Sequence, residues 1–407
     1  MDRIYLDHNA TSPLRPQVLA AMADVSGEGF GNPSSLHWAG RAARSALEEC
    51  RERIASSLRV QARELVFTSG GTEANRLAIL GALAAAGSGP HVVASAIEHP
   101  SVIDLLRQLE ASGAVDVTWV AASAGGVVDP ESIAAAVVPR TRLVCLQHAN
   151  NETGAIQAVG PVASLCRTRG ILLHCDAVQS LGKIPVLPAE MGADLVTASS
   201  HKIGGPRGVG VLWIRSSSRF ETPHRGGPQE RGLRPGTENL PGVAGFTKAL
   251  ALATPVDRAL RDRLWSGIRA RVPEAELNGD PAHLLPNTLN VSFPGVMAEM
   301  LLISLDLEGV AASSGSACSS GARQPSHVLR AMGLDEDRIR SAVRFSLGWT
   351  NATEDVDRAA EVIGRAVEDL RQAAAPSREA VLRGPAASLR TAGETRPIAP
   401  GTRLGSA

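Results

Sequence analysis

Lys202 stands in ASSHKIGGPRGVGVL, residues 198–212, between a strand pattern and a glycine-rich turn, with Ser199, Ser200 and His201 beside it. The chain has only three lysines, Lys183, Lys202 and Lys248, and this one has the most constrained setting. A lysine that forms a Schiff base must be held against an aldehyde and kept partly desolvated. A solvated loop lysine is the other reading of the same residues. In HCDAVQS, residues 174–180, Asp176 falls at the end of an apolar strand, where open α/β sheets hold their ligands. A carboxylate there suits a protonated ring nitrogen, as a pyridine cofactor requires, and Gln179 one turn on can donate to a ring oxygen. A strand-end Asp that caps a helix would look alike. In VFTSGGTEANR, residues 66–76, Ser69-Gly70-Gly71-Thr72 opens a helix, and free N–H groups over small residues make an anion cradle. It has neither the GxxxxGK[ST] nor the GxGxxG spacing, and an ordinary glycine turn remains open.

Four further positions carry chemistry. His99 in AIEHPSV and Asn150-Asn151-Glu152 in QHANNETG each follow a strand, so both can converge with Asp176 on one crevice. Cys318 sits in ASSGSACSSG, residues 312–321, with no hydrophobic neighbour but Ala317. Such a loop suits a thiol that attacks one group and carries the product elsewhere, and suits an incidental surface thiol equally. Arg344 lies inside the strand pattern AVRFS. An arginine there takes a fixed anionic partner, and its planar fork matches an α-carboxylate.

The elements that must position these groups follow from periodicity. Short apolar strands (64–68, 92–95, 115–120, 143–147, 171–175, 195–198 and 209–214) alternate with helical patterns, which predicts a mostly parallel sheet covered on both faces. The strand at 209–214 is a candidate for an antiparallel one. After about 245 the pattern reads as a long helix over 246–272, strands at 288–293, 310–313 and 341–346, and a last helix over 354–374 with Thr353 as its N-cap. Beyond Pro376 five arginines face two glutamates amid prolines and glycines, which predicts a disordered tail over 376–407. Over all 407 residues, 41 Lys+Arg balance 41 Asp+Glu, which argues against nucleic-acid binding by a basic surface. Five cysteines without a CxxC pair argue against a disulfide scaffold and a cysteine-ligated metal, so no metal site is expected. The first residues carry no apolar run and no stretch is long enough to span a bilayer, which suggests a cytoplasmic protein without membrane contact.

In order along the chain, YLDHNATSP, GNPSSLH, FTSGGTEANR, EHPSV, NNETG, HCDAVQS, SSHKIGGPRGVG, RGGPQERGLRPGTEN, SGSACSSG, PSHVLRAMG and RFSLG closely resemble the motifs of the NifS/IscS-type cysteine desulfurases. These belong to the class V aminotransferases, which use pyridoxal 5'-phosphate. The likeness runs from about Tyr5 to about Leu370. It implies an α/β chain of the PLP-dependent transferase fold type I: a large domain with a mostly parallel seven-stranded sheet over 15–255, and a smaller α+β domain made of 1–14 and 256–375.

By motif, the resemblance implies that Lys202 carries the cofactor, that Asp176 pairs with its pyridine nitrogen and that Gln179 contacts its phenolic oxygen. His99 would stack on the ring and help move protons, with Asn151 near the phenolic oxygen and the substrate. Gly71, Thr72, Ser199 and His201 would hold the phosphate, and Thr237 in RPGTEN would reach the phosphate of a partner subunit, implying a homodimer. Arg344 would clamp the carboxylate of L-cysteine with Asn32 nearby, and Cys318 would accept the sulfur as a persulfide, leaving alanine. A sulfur-acceptor protein, an iron–sulfur scaffold or another carrier, is then expected. Selenocysteine lyase is the enzymatic alternative, and a homologue that keeps only the fold is the other. Three residues depart from the family's pattern: Ser200 adds a hydroxyl beside the phosphate, Pro235 stiffens the loop ahead of Thr237, and Trp349 alters the surroundings of Arg344.

Overall fold

The computed structural model describes residues 3–87, 89–255, 257–314 and 325–374. Cys318 and the tail 376–407 lie outside the described residues.

Seven strands form the main sheet: β2 (Leu65–Thr68), β3 (His91–Ser95), β4 (Asp116–Val120), β5 (Thr141–Cys145), β6 (Leu172–Asp176), β7 (Leu195–Ser199) and β8 (Gly210–Ile214); β1 is the short Ile4–Tyr5. Their order is β2-β8-β7-β6-β5-β3-β4. All neighbours are parallel except β8, which runs antiparallel to both β2 and β7. Most of these strands read as continuous apolar runs because helices cover both faces. Alternation along each strand splits the core in two. Val144, Leu173, Val196 and Val211 pack into one layer, and Leu143, Cys145, Leu195 and Leu212 into the other.

The register fixes where the site lies. Gly210 stands opposite both Thr68 of β2 and Ser199 of β7. Because β8 reverses direction, the carboxyl ends of β2, β7 and β6 come out on one edge. There β2 runs through Ser69 and Gly70 into the helix Gly71–Ala84, and β7 runs directly into a single tight turn, Ser200–Lys202.

A second body holds β9 (Glu276–Leu277), β10 (Thr288–Ser292), β11 (Val310–Ala311) and β12 (Ala342–Ser346). Strands β12, β10 and β9 form an antiparallel sheet, and β1 pairs in parallel with β11. Ile4 and Leu6 therefore share a core with residues drawn from 264–367. Val328, Leu329 and Met332 pack instead into the core of the main sheet.

Two expectations need correction. The long helix over 246–272 is two helices, Leu240–Leu252 and Arg258–Arg271. Pro255 lacks the N–H that a continuing helix needs and disfavours helical geometry in the residue before it, and the Asp257 carboxylate caps the new helix by accepting from Ala259 N. Thr353 is the first residue of the last helix, Thr353–Ala374, rather than its cap. The Asp355 carboxylate satisfies Ala352 N at 2.9 Å, which starts the helix one residue early.

Candidate active site

At the carboxyl edge of the main sheet lies a cavity of about 250 Å³. Gly71 and Thr72 enter it from the start of their helix, Asp176 from the end of β6, Gln179 from the following turn, and Ser199, His201 and Lys202 from the end of β7. His99 and Asn151 complete the wall. Strand β5 leaves its ladder at Cys145, two residues sooner than its apolar run suggests, so Gln147 and Asn151 turn toward this space.

The helix start abuts the turn after β6. A Cβ on Gly71 would lie 2.7 Å from Val178 Cγ2, so only glycine allows this approach. Val178 N donates to Asp176 Oδ1 at 2.9 Å, and Asn75 Nδ2 donates to Asp176 Oδ2 at 2.7 Å. Asn75 is itself fixed: its Oδ1 accepts from Thr197 Oγ1 at 2.6 Å and lies 3.1 Å from His174 Nε2. Its amide also donates to Ser101 Oγ, which lies 2.8 Å from His99 Nδ1. His99 Nδ1 caps the helix Pro100–Ala111 by accepting from Ser101 N, which leaves Nε2 to carry the proton of the neutral ring.

Lys202 rests on backbone. Its Nζ donates to Asn9 O at 2.6 Å and Ala10 O at 2.8 Å, so the N-terminal segment closes one side of the site. Burial lowers the pKa of His99, with Lys202 acting in the same sense and Asp176 against it. Burial pushes His201 down to about 4, reinforced by Lys202 and Arg207, so its ring is neutral near pH 7. Two buried oxygens at the cavity, Ser199 Oγ and Asn151 Oδ1, have no hydrogen-bond partner among the described residues.

The remaining expected residues lie elsewhere. Arg344 is buried behind Asn151, donating from NH1 to Asn151 O at 2.9 Å and from NH2 to Asp7 Oδ1 at 2.6 Å. Its fixed anionic partner is thus Asp7, while its Nε has none among the described residues. Asn32 is exposed and its Oδ1 accepts from Ser34 N, and Thr237 is exposed; neither lines the cavity. Ser200 is a correction: its side chain is fully buried beside Gly205, where a Cβ would lie 2.0 Å from Ser200 Oγ, and it adds no hydroxyl to the cavity wall. Trp349 donates to Pro13 O at 3.1 Å and stacks against Arg15. Sequence reasoning missed Asn75, Asn9 and Lys183. A polar Asn75 on the apolar stripe of its helix was the available signal; Asn9 had none beyond its motif, and Lys183 only its place among three lysines.

Residues 4–359 match the aminotransferase class-V family. The chain is 46% identical over 369 residues to a cysteine desulfurase of Cereibacter sphaeroides, covering 89% of this chain and 95% of that relative. A solved NifS-like protein superposes with a TM-score of 0.84 at 33% identity, over 91% of this chain and 100% of that one. SspA, solved in complex with cysteine, superposes with a TM-score of 0.77 at 32% identity, over 84% of this chain and 98% of SspA. No helix among the described residues is long and apolar enough to cross a membrane. With a family match across most of its length and relatives this similar over nearly their whole chains, the protein belongs to the class-V aminotransferases and, among them, to the cysteine desulfurases.

Proposed function

We propose that this chain converts L-cysteine to L-alanine with pyridoxal 5'-phosphate carried on Lys202, and that Cys318 receives the sulfur as a persulfide for an acceptor protein. The observation that carries the reading is the convergence of Lys202, Asp176, Gln179, His99, Gly71 and Thr72 on one cavity from four separate segments. The donor set suits the cofactor. A helix start with two unsubstituted or small residues offers N–H groups to a phosphate, and the unpartnered Ser199 hydroxyl adds a donor. The Asp176 carboxylate, held by Val178 N and Asn75, suits a protonated pyridine nitrogen.

When bound, pyridoxal phosphate supplies an electron sink for the Cα–H bond of the amino acid attached to it. Asp176 holds a proton at the ring nitrogen, and Asn75 prevents the carboxylate from turning away. Lys202 Nζ, once released from the cofactor, moves the Cα proton, with the Asn9 and Ala10 carbonyls as its resting place. His99, neutral and protonated on Nε2, is the second group able to pass a proton. Arg344 is the candidate for the substrate carboxylate, its fork aimed by Asp7 and Asn151 O. The Cys318 thiolate attacks the substrate sulfur: an S–S bond forms, the Cβ–S bond breaks, and Cβ takes a proton to complete alanine.

A homodimer is part of the proposal, with Thr237 reaching the partner's phosphate and Asn32 set near the substrate. Phe30 and Trp38, 68% and 67% exposed and in edge-on contact, support a covered face beside Asn32. The division into a large body over 15–255 and a small one from 1–14 and 256–375, and a cytoplasmic location, belong to the same reading, as does an acceptor that is an iron–sulfur scaffold or another sulfur carrier. The test is to load purified protein with pyridoxal phosphate, add L-cysteine, measure alanine and sulfide, and map the persulfide by mass spectrometry. The expected result is alanine release with a persulfide at Cys318, lost in Cys318→Ser, and no lysine-bound cofactor absorbance in Lys202→Ala. Failure to bind the cofactor in excess overturns the reading.

A further inference from the structure

Lys183 is fully enclosed and lines no part of the 250 Å³ cavity, yet it lies four residues beyond Gln179, which does. Its Nζ has two partners, Asn9 Oδ1 at 2.8 Å and Gln179 Oε1 at 2.9 Å. A lysine nitrogen in this position offers only donors to those two oxygens. Gln179 must therefore present Oε1 to Lys183. Its amide nitrogen is left on the other side, where it donates to Asn9 O at 3.0 Å. That same carbonyl receives Lys202 Nζ at 2.6 Å. Asn9 is locked in turn, because its Oδ1 also accepts from Asn287 Nδ2 at 3.1 Å and its Nδ2 donates to Thr288 Oγ1 at 3.0 Å. A buried lysine is a costly way to satisfy two amide oxygens, and a side chain of that cost needs a reason.

We propose that Lys183 is a positioning residue that locks the Gln179 amide with its N–H side turned toward Asn9 O and the cavity, so that Gln179 meets a bound ring oxygen only as a donor. The inference rests on the reading that Lys202 carries pyridoxal phosphate. Either protonation state of Lys183 keeps two N–H groups, so the lock does not require its charge. Burial holds Lys183 well below the ordinary lysine range, and the groups that act on it, Lys202 after β7 and Arg344 on β12, push the same way. From the N-terminal segment faces His8, itself brought down to about 4 by burial and then by Lys183.

A donor to the phenolic oxygen stabilises its ionised form and lowers its hold on the proton it shares with the Lys202 nitrogen. Without the lock the amide can turn its own oxygen inward, and that proton is then held more tightly. The experiment is a pH titration of the lysine-bound cofactor's visible absorbance in the full-length holoenzyme, in a double-mutant cycle of Lys183→Met and Gln179→Leu. Lys183→Met is expected to raise the midpoint by about one pH unit in the wild-type background and to change it little in the Gln179→Leu background. No shift in the wild-type background overturns the proposal, and so does an equal shift in both backgrounds, which would mean that Lys183 acts by charge or by packing alone. Should Lys183→Met not fold, the lock is read in the cofactor-free wild type by hydrogen exchange of the 15N-labelled Gln179 side-chain amide, assigned by its loss in Gln179→Leu. Slow exchange supports the lock, and exchange at the rate of a free amide overturns it. A wild type that never shows the absorbance overturns the cofactor reading instead, so the two failures are distinct.

Discussion

Asn75 shows how much of the site is decided one side chain away from it. Its amide holds Asp176, Thr197, His174 and Ser101 at once, so no other side chain fills its place. Asn75→Ala leaves buried donors and acceptors unpaired and is expected to cost about 1–3 kcal/mol of folding stability. It should also loosen cofactor retention, and urea unfolding with and without pyridoxal phosphate measures both. Glu98, next to His99, offers a pH test. Burial raises its carboxyl from 4.5 to about 8, with Asp176 adding to the rise and Gln147 N opposing it. Below about 4.5 the carboxyl is protonated in both folded and unfolded chains and contributes no penalty. Between there and about 8 the unfolded chain loses the proton and the folded one keeps it, so stability falls as pH rises. Glu98→Gln is expected to flatten that slope in unfolding free energy against pH, and parallel curves for variant and wild type would show that Glu98 is not the source.

At the scale of elements, the crossing of β2, β8 and β7 shapes the proposed phosphate cradle. Gly210 stands between the two parallel-running partners, and a Cβ there would lie 2.6 Å from Gly70 C and 2.9 Å from Ala198 O. Both are backbone atoms and cannot rotate away. Gly210→Ala is expected to push β8 off the start of the Gly71–Ala84 helix, at a cost of about 1–3 kcal/mol. Because Gly70 leads into that helix, the same variant should release pyridoxal phosphate faster, which stopped-flow absorbance can follow. The turn Ser200–Lys202 depends on glycine too: Gly204 adopts φ 81 and Gly205 packs on Ser200, which together bring Lys202 back over the sheet edge.

Across the whole molecule, a buried ion pair ties distant segments together. Arg51, on the helix Trp38–Leu58, meets Glu230 at 2.7 Å with both side chains almost wholly buried, and Glu230 also accepts from Phe67 N of β2. Glu230 sits in the segment that leads on to Thr237, so the pair steadies the part proposed to reach a second subunit. Arg51→Met leaves a buried carboxylate without its cation and is expected to destabilise by about 3–5 kcal/mol. Arg51→Met with Glu230→Gln should recover part of that loss, read by urea or thermal unfolding. If the two variants are equally unstable, packing rather than charge explains the site.

Local pattern already contained most of the element order, since the periods of strand and helix are written over a few neighbouring residues. It misled at Pro255, where a helical stripe on both sides hid the break, and at the end of β5, where the apolar run outlasts the ladder. Several motif residues of the cavity were legible for the same reason: Asp176 and Ser199 end strands, Gly71 and Thr72 open a helix, and His99 caps one. What the chain order could not reveal is which distant groups meet. Asn9 O receives Lys202 across 193 positions, and Asp7 claims the fork of Arg344 across 337. Those contacts exist because β1 joins β11 in the second body and carries the following residues to the edge of the main sheet. Hydrogen bonds between segments so far apart are set by packing of the whole chain, and no short stretch of sequence encodes them.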